Sequence, residues 1–132
     1  MPDRRELIRE FKTGDVLIRE GDKSAGFYIL IDGRLGVYKS NVKVAEIVEN
    51  GVVFGELAMI LNKPRTATVT ALEPSKAMYV SADVDELMIS YPKVAASLIF
   101  NLAERLYNTT ENYITSVRNL EEKFDKIGGG SK

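Results

Sequence analysis

The chain has no cysteine and no histidine, only 4 prolines, and no excess of charge of either sign. Each lack removes a class of function. Without cysteine there is no disulfide framework and no thiolate site for zinc or an iron–sulfur cluster. Without histidine there is no imidazole metal site, and no histidine-dependent acid–base or nucleophilic catalysis. The 18 Lys and Arg residues nearly balance the 19 Asp and Glu residues, leaving a net charge of −1 at pH 7. That gives no basic footprint for broad nucleic-acid binding. No apolar run approaches the length of a membrane span. The first residues, MPDRRELIRE, carry acids and lack the apolar centre of a signal peptide. The expectation is a cytoplasmic protein that is not an enzyme, with no metal, no cofactor and no membrane contact. At 132 residues it is one domain with an appended element, long enough to bury a core.

What is present centres on residues 54–69, FGELAMILNKPRTATV. Glu56 and Arg65 flank a short apolar run, Leu57 to Leu61, and an alternating strand-like run follows. Gly55 lets backbone approach a ligand closely. The apolar run is long enough for about one or two helical turns. The first amides of a helix have no internal partners and attract anions. The donor fork of Arg65 matches two phosphate oxygens. Glu56 repels a phosphate, so its carboxylate suits hydroxyl donors on the same ligand, such as those of a sugar. The plainer reading stands beside this one. A Glu near a helix start is favoured by the dipole alone, Asn62-Lys63-Pro64 is an ordinary turn, and Arg65 is then a solvated strand residue.

Residues 2–11 place Leu7, Ile8 and Phe11 at helical spacing and predict a short amphipathic helix. Strands are predicted at 16–19, 27–31, 35–38 and 42–48, separated by turns at Thr13-Gly14-Asp15, Glu20-Gly21-Asp22, Asp32-Gly33 and Asn50-Gly51. Thr66 to Leu72 and Lys76 to Val80 close the set. Short strands with even turns predict an antiparallel barrel or jelly roll, with Gly14, Gly21 and Gly33 at its corners and Phe27 and Tyr28 in its core. Asp83 caps a helix running to about Ser90, and Tyr91-Pro92 breaks and restarts the chain.

From residue 93 to 127 there is neither Gly nor Pro. Steps of four and three from Ile99 reach Ala103, Leu106, Thr110, Tyr113, Val117, Leu120, Phe124 and Ile127, all apolar except Thr110. A repeat of about 3.5 residues held so long predicts a coiled-coil seam and a parallel homodimer through residues 99–127. Residues 128–132, Gly-Gly-Gly-Ser-Lys, have the composition of a flexible tail; a natural end, a shortened linker and an expression scar all remain open. The organisation expected is a barrel over 1–91, a dimerisation helix over 92–127 and a tail.

The 54–69 stretch resembles the phosphate-binding cassette of the cyclic nucleotide-binding domain family. The family pattern of Phe-Gly-Glu, an apolar run, Pro-Arg, a small residue, Ala, Thr or Ser, and Val is matched at Phe54, Gly55, Glu56, Pro64, Arg65, Thr66, Ala67, Thr68 and Val69. The spacing from Glu56 to Arg65 also matches, and residues 14–38 resemble the family's first strands. The resemblance covers roughly residues 11–125 and is nearest in layout to the catabolite activator branch. It implies a mainly β fold with helices: a jelly-roll barrel, a short N-terminal helix, a cassette helix and a long C-terminal coiled-coil helix. It implies a ligand as well. Glu56 would accept the ribose 2′-hydroxyl and Arg65 would pair with the cyclic phosphate. Amides near Gly55, Leu57 and Ala58 would cradle that phosphate, and Thr66 would add a hydroxyl contact. Haem-sensing and iron–sulfur relatives use His or Cys ligands, so those variants are excluded.

The run AERLYNTTENY, residues 103–113, is similar to the dimer helix of that branch, where two adjacent hydroxyl residues reach the adenine. Thr109 and Thr110 fall at the matching positions. The plainer reading is that Thr110 sets the register or bonds back to its own helix. The branch continues into a DNA-reading helix-turn-helix, and these residues contain none, so no direct nucleic-acid partner is implied. The expected protein is a regulatory sensor module for a cyclic nucleotide. cAMP is preferred because of Thr109 and Thr110, and cGMP is the second choice because of Thr66. The alternative is a structural homodimerisation module with a pocket that binds nothing; a cupin-type enzyme is distant because the metal ligands are missing.

Overall fold

The computed structural model describes residues 6–128, with side chains through residue 123. The elements run β1 (Glu6–Phe11), β2 (Val16–Ile18), β3 (Phe27–Asp32), β4 (Leu35–Lys39), β5 (Val42–Ile47), β6 (Val53–Phe54), α1 (Glu56–Leu61), β7 (Thr68–Ala71), β8 (Ser75–Val80), α2 (Val84–Ser90) and α3 (Pro92–Gly128). The strands form two four-stranded sheets, in the orders β1-β8-β3-β6 and β2-β7-β4-β5. Every strand pair is antiparallel. Among the described residues, strand pairing leaves two separate sheets, not one closed barrel.

The two sheets share one core. Tyr28, Leu30, Phe54 and Ala77 come from the first sheet; Ile18, Leu35, Val69 and Ala71 come from the second. Alternation along β3 and β7 puts these side chains on one face of each strand, and burying that face is what holds the sheets together. The chain divides at Tyr91/Pro92 into a sandwich unit and a helical unit.

The N-terminal helix expected over residues 2–11 is corrected. Residues 2–5 lie outside the described residues, and residues 6–11 form β1, paired with β8 from Glu6↔Val80 to Phe11↔Ser75. An isolated helix this short is marginal, while β8 offers an open row of backbone partners. Leu7 and Ile8 are both exposed, so no amphipathic packing face opposes the strand. One strand is unexpected, and another starts later than expected. β6 is a two-residue strand with no pattern to betray it. β7 starts at Thr68, not Thr66, because the Arg65 backbone pairs with the loop after β2: its N–H donates to the Asp22 carbonyl and its carbonyl accepts from Gly21.

Asp83 caps α2 as expected, its carboxylate accepting from the Glu86 amide at 2.8 Å. α3 opens on Pro92 and runs for 37 residues, about 55 Å of helix. Gly128 is helical and so belongs to α3 and not to the tail; residues 129–132 lie outside the described residues. Along α3, Ile99, Leu106, Tyr113 and Leu120, expected at a seam, are 62%, 69%, 69% and 67% exposed within the single chain. The side chains of Phe124 and Ile127 lie outside the described ones. Among the described residues, no helix is long and apolar enough to cross a membrane.

The β3–β4 hairpin turns on Gly33, whose φ is +118°. A Cβ there would collide with the side chain and backbone of Ser75. Gly33→Ala is therefore expected to cost about 1–3 kcal/mol, read as a lowered urea midpoint. An unchanged midpoint would mean that the hairpin shifts freely to make room.

Candidate functional site

The site is built where β6 hands over to α1. Gly55 takes a left-handed φ of +79° and turns the chain from strand into helix. A Cβ there would meet the Arg65 guanidinium and Ile18, each at 3.0 Å, so only glycine fits against the arginine. α1 then carries Glu56, half-buried Leu57 and buried Ala58. It stops at Asn62, itself left-handed at φ 51°, and the amides of Asn62 and Lys63 both close on the Ala58 carbonyl. That tight stop brings Arg65 back beside Gly55.

Arg65 is 4% exposed and Glu56 is 3% exposed. Arg65 is thus not a solvated strand residue. Its guanidinium joins three segments. Nε donates to Ser24 Oγ at 2.9 Å, Nη2 donates to the Ala25 and Gly26 carbonyls at 3.2 Å each, and Nη1 donates to the Gly55 carbonyl. A buried guanidinium is tolerated only when its donors are satisfied, and here backbone carbonyls and a hydroxyl do that work. Glu56 also interacts within the chain.

Thr66 is exposed, and its carbonyl accepts from Lys39 Nζ at 2.8 Å. The same ammonium lies 3.1 Å from Glu20 Oε1. Lys39 on β4 therefore holds the stretch just after Arg65. Behind the site, Tyr28 stacks on Phe54 with ring centroids 5.3 Å apart and meets Tyr79 at 5.1 Å. Burial pushes the Tyr28 phenol above the ordinary tyrosine value; Tyr79 adds to this, and Arg9 and Arg65 pull it back. Phe27 and Tyr28 are core residues, as the sequence implied. The Tyr79 hydroxyl donates to the Ala25 carbonyl at 2.5 Å and so steadies the loop that receives Arg65.

The sandwich unit thus brings together Gly55, Glu56, Leu57, Ala58, Arg65 and Thr66. Thr109 and Thr110 lie on α3 in the helical unit, both exposed, with the Thr110 hydroxyl donating to the Leu106 carbonyl at 2.9 Å. That backbone bond is the plainer role allowed for Thr110. Sequence reasoning missed Ser24, Ala25, Gly26 and Lys39. The GDKSAG loop reads only as a turn, and carbonyl acceptors leave no mark on residue type. A cavity of about 440 Å³ lies beside α1; it touches Ala58, but Glu56 and Arg65 do not line it.

Removing the Arg65 side chain would strand the carbonyls of Gly26 and Gly55 together with the Ser24 hydroxyl, while the Ala25 carbonyl keeps its bond from Tyr79. Arg65→Ala is expected to cost about 1.5–3 kcal/mol of stability with no ligand added, read by urea unfolding. An unshifted midpoint would mean that water replaces all of these bonds at no cost.

Comparison with known proteins bears on this geometry. The cyclic GMP-dependent protein kinase of Eimeria tenella is 33% identical over 78 residues, covering 59% of this chain and 8% of the kinase. The cAMP-dependent protein kinase regulatory subunit of Debaryomyces hansenii is 43% identical over 63 residues, covering 48% of this chain and 14% of the subunit. The chain therefore spans only a small part of the length of these curated relatives. Among solved structures, the catabolite activator protein of Thermus thermophilus superposes with a TM-score of 0.70 at 22% identity, covering 80% of this chain and 52% of that one. That likeness concerns the fold. The family described as cyclic nucleotide-binding domain matches residues 8–90, which takes in both sheets, α1 and the Glu56–Arg65 cassette. The chain belongs to the cyclic nucleotide-binding domain family.

Proposed function

We propose that the chain is a sensor module that binds a cyclic nucleotide through residues 54–66 and passes the event to a dimer formed by α3. The observation that carries this reading is the burial of both Glu56, the first residue of the six-residue helix α1, and Arg65, four residues beyond its end. Arg65 takes the cyclic phosphate through its fork, and Glu56 takes the ribose 2′-hydroxyl. The amides near Gly55, Leu57 and Ala58 complete the phosphate cradle, with Thr66 beside it. Thr109 and Thr110 reach the base, which favours cAMP; cGMP is second, supported by the exposed Thr66. The two sheets would correspond to a jelly roll. The module performs no chemistry itself.

A switch needs different ligand affinity in two arrangements. Arg65 supplies a source for it. The phosphate competes for donors now given to the Ala25, Gly26 and Gly55 carbonyls. Ligand arrival therefore changes what holds the loop after β2 and the start of α1.

The dimer rests on the seam. Ile99, Leu106, Tyr113 and Leu120 form an exposed apolar stripe at heptad spacing, which a second copy would cover in knobs-into-holes fashion. The rival reading is a structural module that binds nothing. It draws on one observation: Arg65 is already well bonded by its own chain.

Displacement of a fluorescent cyclic nucleotide separates the two. Arg65→Lys keeps the charge and loses the fork, and is expected to weaken binding by at least about tenfold. Glu56→Gln is expected to weaken it too, chiefly through the ribose contact. Affinity unchanged in both variants would place the nucleotide away from Glu56 and Arg65, and no binding by the unaltered protein would favour the structural module. Leu106→Asp is expected to turn dimer into monomer in analytical ultracentrifugation, since one seam charge cannot be buried unpaired. A dimer that survives it would place the contact elsewhere.

A further inference from the structure

The cavity beside α1 touches the nucleotide reading only at Ala58 and at the Ser24–Ala25 loop; Glu56 and Arg65 do not line it. It encloses about 440 Å³, within the ordinary range for small-molecule sites. Its floor is apolar: Ala58, Met59 and Ala82 are 5%, 9% and 4% exposed. Its rim is cationic, with Lys23 and Lys63 both lining it and both exposed. Among the described residues, neither lysine pairs with a carboxylate. Asp83 is the one acid in the wall, and its Oδ1 is held by the Glu86 amide as the cap of α2.

We propose that this cavity is a second ligand site, for a small molecule that joins an apolar body to a single anionic group. The body covers Ala58, Met59 and Ala82, and the anion meets Lys23 and Lys63. An ammonium acts as a compact point charge on a flexible stem, so the pair accepts a carboxylate, a sulfonate or a phosphate monoester without a fixed fork geometry. A neutral ligand would leave the rim unused, and a strongly polar one would leave the floor uncovered.

The site is also coupled to Arg65, a part of the proposal that rests on the cyclic nucleotide reading. Ser24 and Ala25 line the cavity. Ser24 Oγ accepts from Arg65 Nε, and the Ala25 carbonyl accepts from Arg65 Nη2. One short loop therefore forms a wall of the cavity and, with Gly26, accepts most of the arginine's side-chain bonds. A ligand that fixes this loop changes the affinity of Arg65 for a phosphate, and by linkage the nucleotide changes the affinity of the cavity by the same factor.

The test uses 8-anilinonaphthalene-1-sulfonate, an apolar ring system with one anion, titrated into the nitrogen-15-labelled full chain. Saturable amide shifts concentrated at residues 23–25, 58–64 and 82–83 are expected. The Lys23→Glu, Lys63→Glu double variant, altered only at exposed rim positions, is expected to raise the Kd at least about fivefold with its amide spectrum otherwise unchanged. Shifts that instead follow the exposed seam of α3, or a Kd unaltered by the double variant, would overturn the site. Saturating cAMP is then expected to change the probe Kd by at least about threefold. An unchanged Kd with cAMP demonstrably bound would overturn the coupling. Absence of cAMP binding would fell the nucleotide reading instead, and the shift map would still decide the site.

Discussion

A guanidinium taken out of water must find acceptors for its donors, and in this chain those acceptors are backbone carbonyls. Arg65 lies at the junction of the loop after β2, the corner between β6 and α1, and the approach to β7. Much local geometry follows from seating that one group. Gly55 sits at a left-handed φ, and a Cβ there would press on the guanidinium and on Ile18. α1 is six residues long because a left-handed Asn62 must return the chain to the arginine. The Arg65 backbone pairs with the Gly21–Asp22 turn, which delays the start of β7. Tyr79, donating to the Ala25 carbonyl, braces the receiving loop from β8.

In the proposed function, the same seating is what a bound phosphate would alter. A group bonded wholly by its own chain is structural; a group whose bonds an anion can exchange is a sensor. A phosphate offers a guanidinium charge-assisted bonds in place of neutral carbonyl ones, and the carbonyls so released lie in the loop after β2 and at the corner before α1. The energy for a change of arrangement comes only from the difference in ligand affinity between the two states. The match to the cyclic nucleotide-binding domain family over residues 8–90 takes in this buried arginine.

Much of this was readable in the residues before any coordinates. The cassette was legible because its residue types are constrained at many positions at once. The strands were legible from turn glycines, and α2 from its Asp83 cap. The long helix was legible because nothing from residue 93 to 127 interrupts it. The failures share a cause. β1 carries a helix-compatible pattern, and only the open edge of β8 makes it a strand. β6 is too short to show a period. The acceptors of Arg65 are carbonyls, which every residue has, so no inspection of side chains finds them. Separate sheets in place of a closed barrel are likewise a matter of which edges pair, and local sequence does not encode that directly.

The central claim is that the buried Glu56–Arg65 cassette binds a cyclic nucleotide. Calorimetric titration of the purified protein, freed of endogenous nucleotide, with cAMP and in parallel with cGMP tests it most directly. The account predicts saturable binding of one nucleotide per chain, tighter for cAMP than for cGMP. A folded protein that gives no binding signal with either nucleotide would contradict it, and would leave Arg65 as a purely structural clasp.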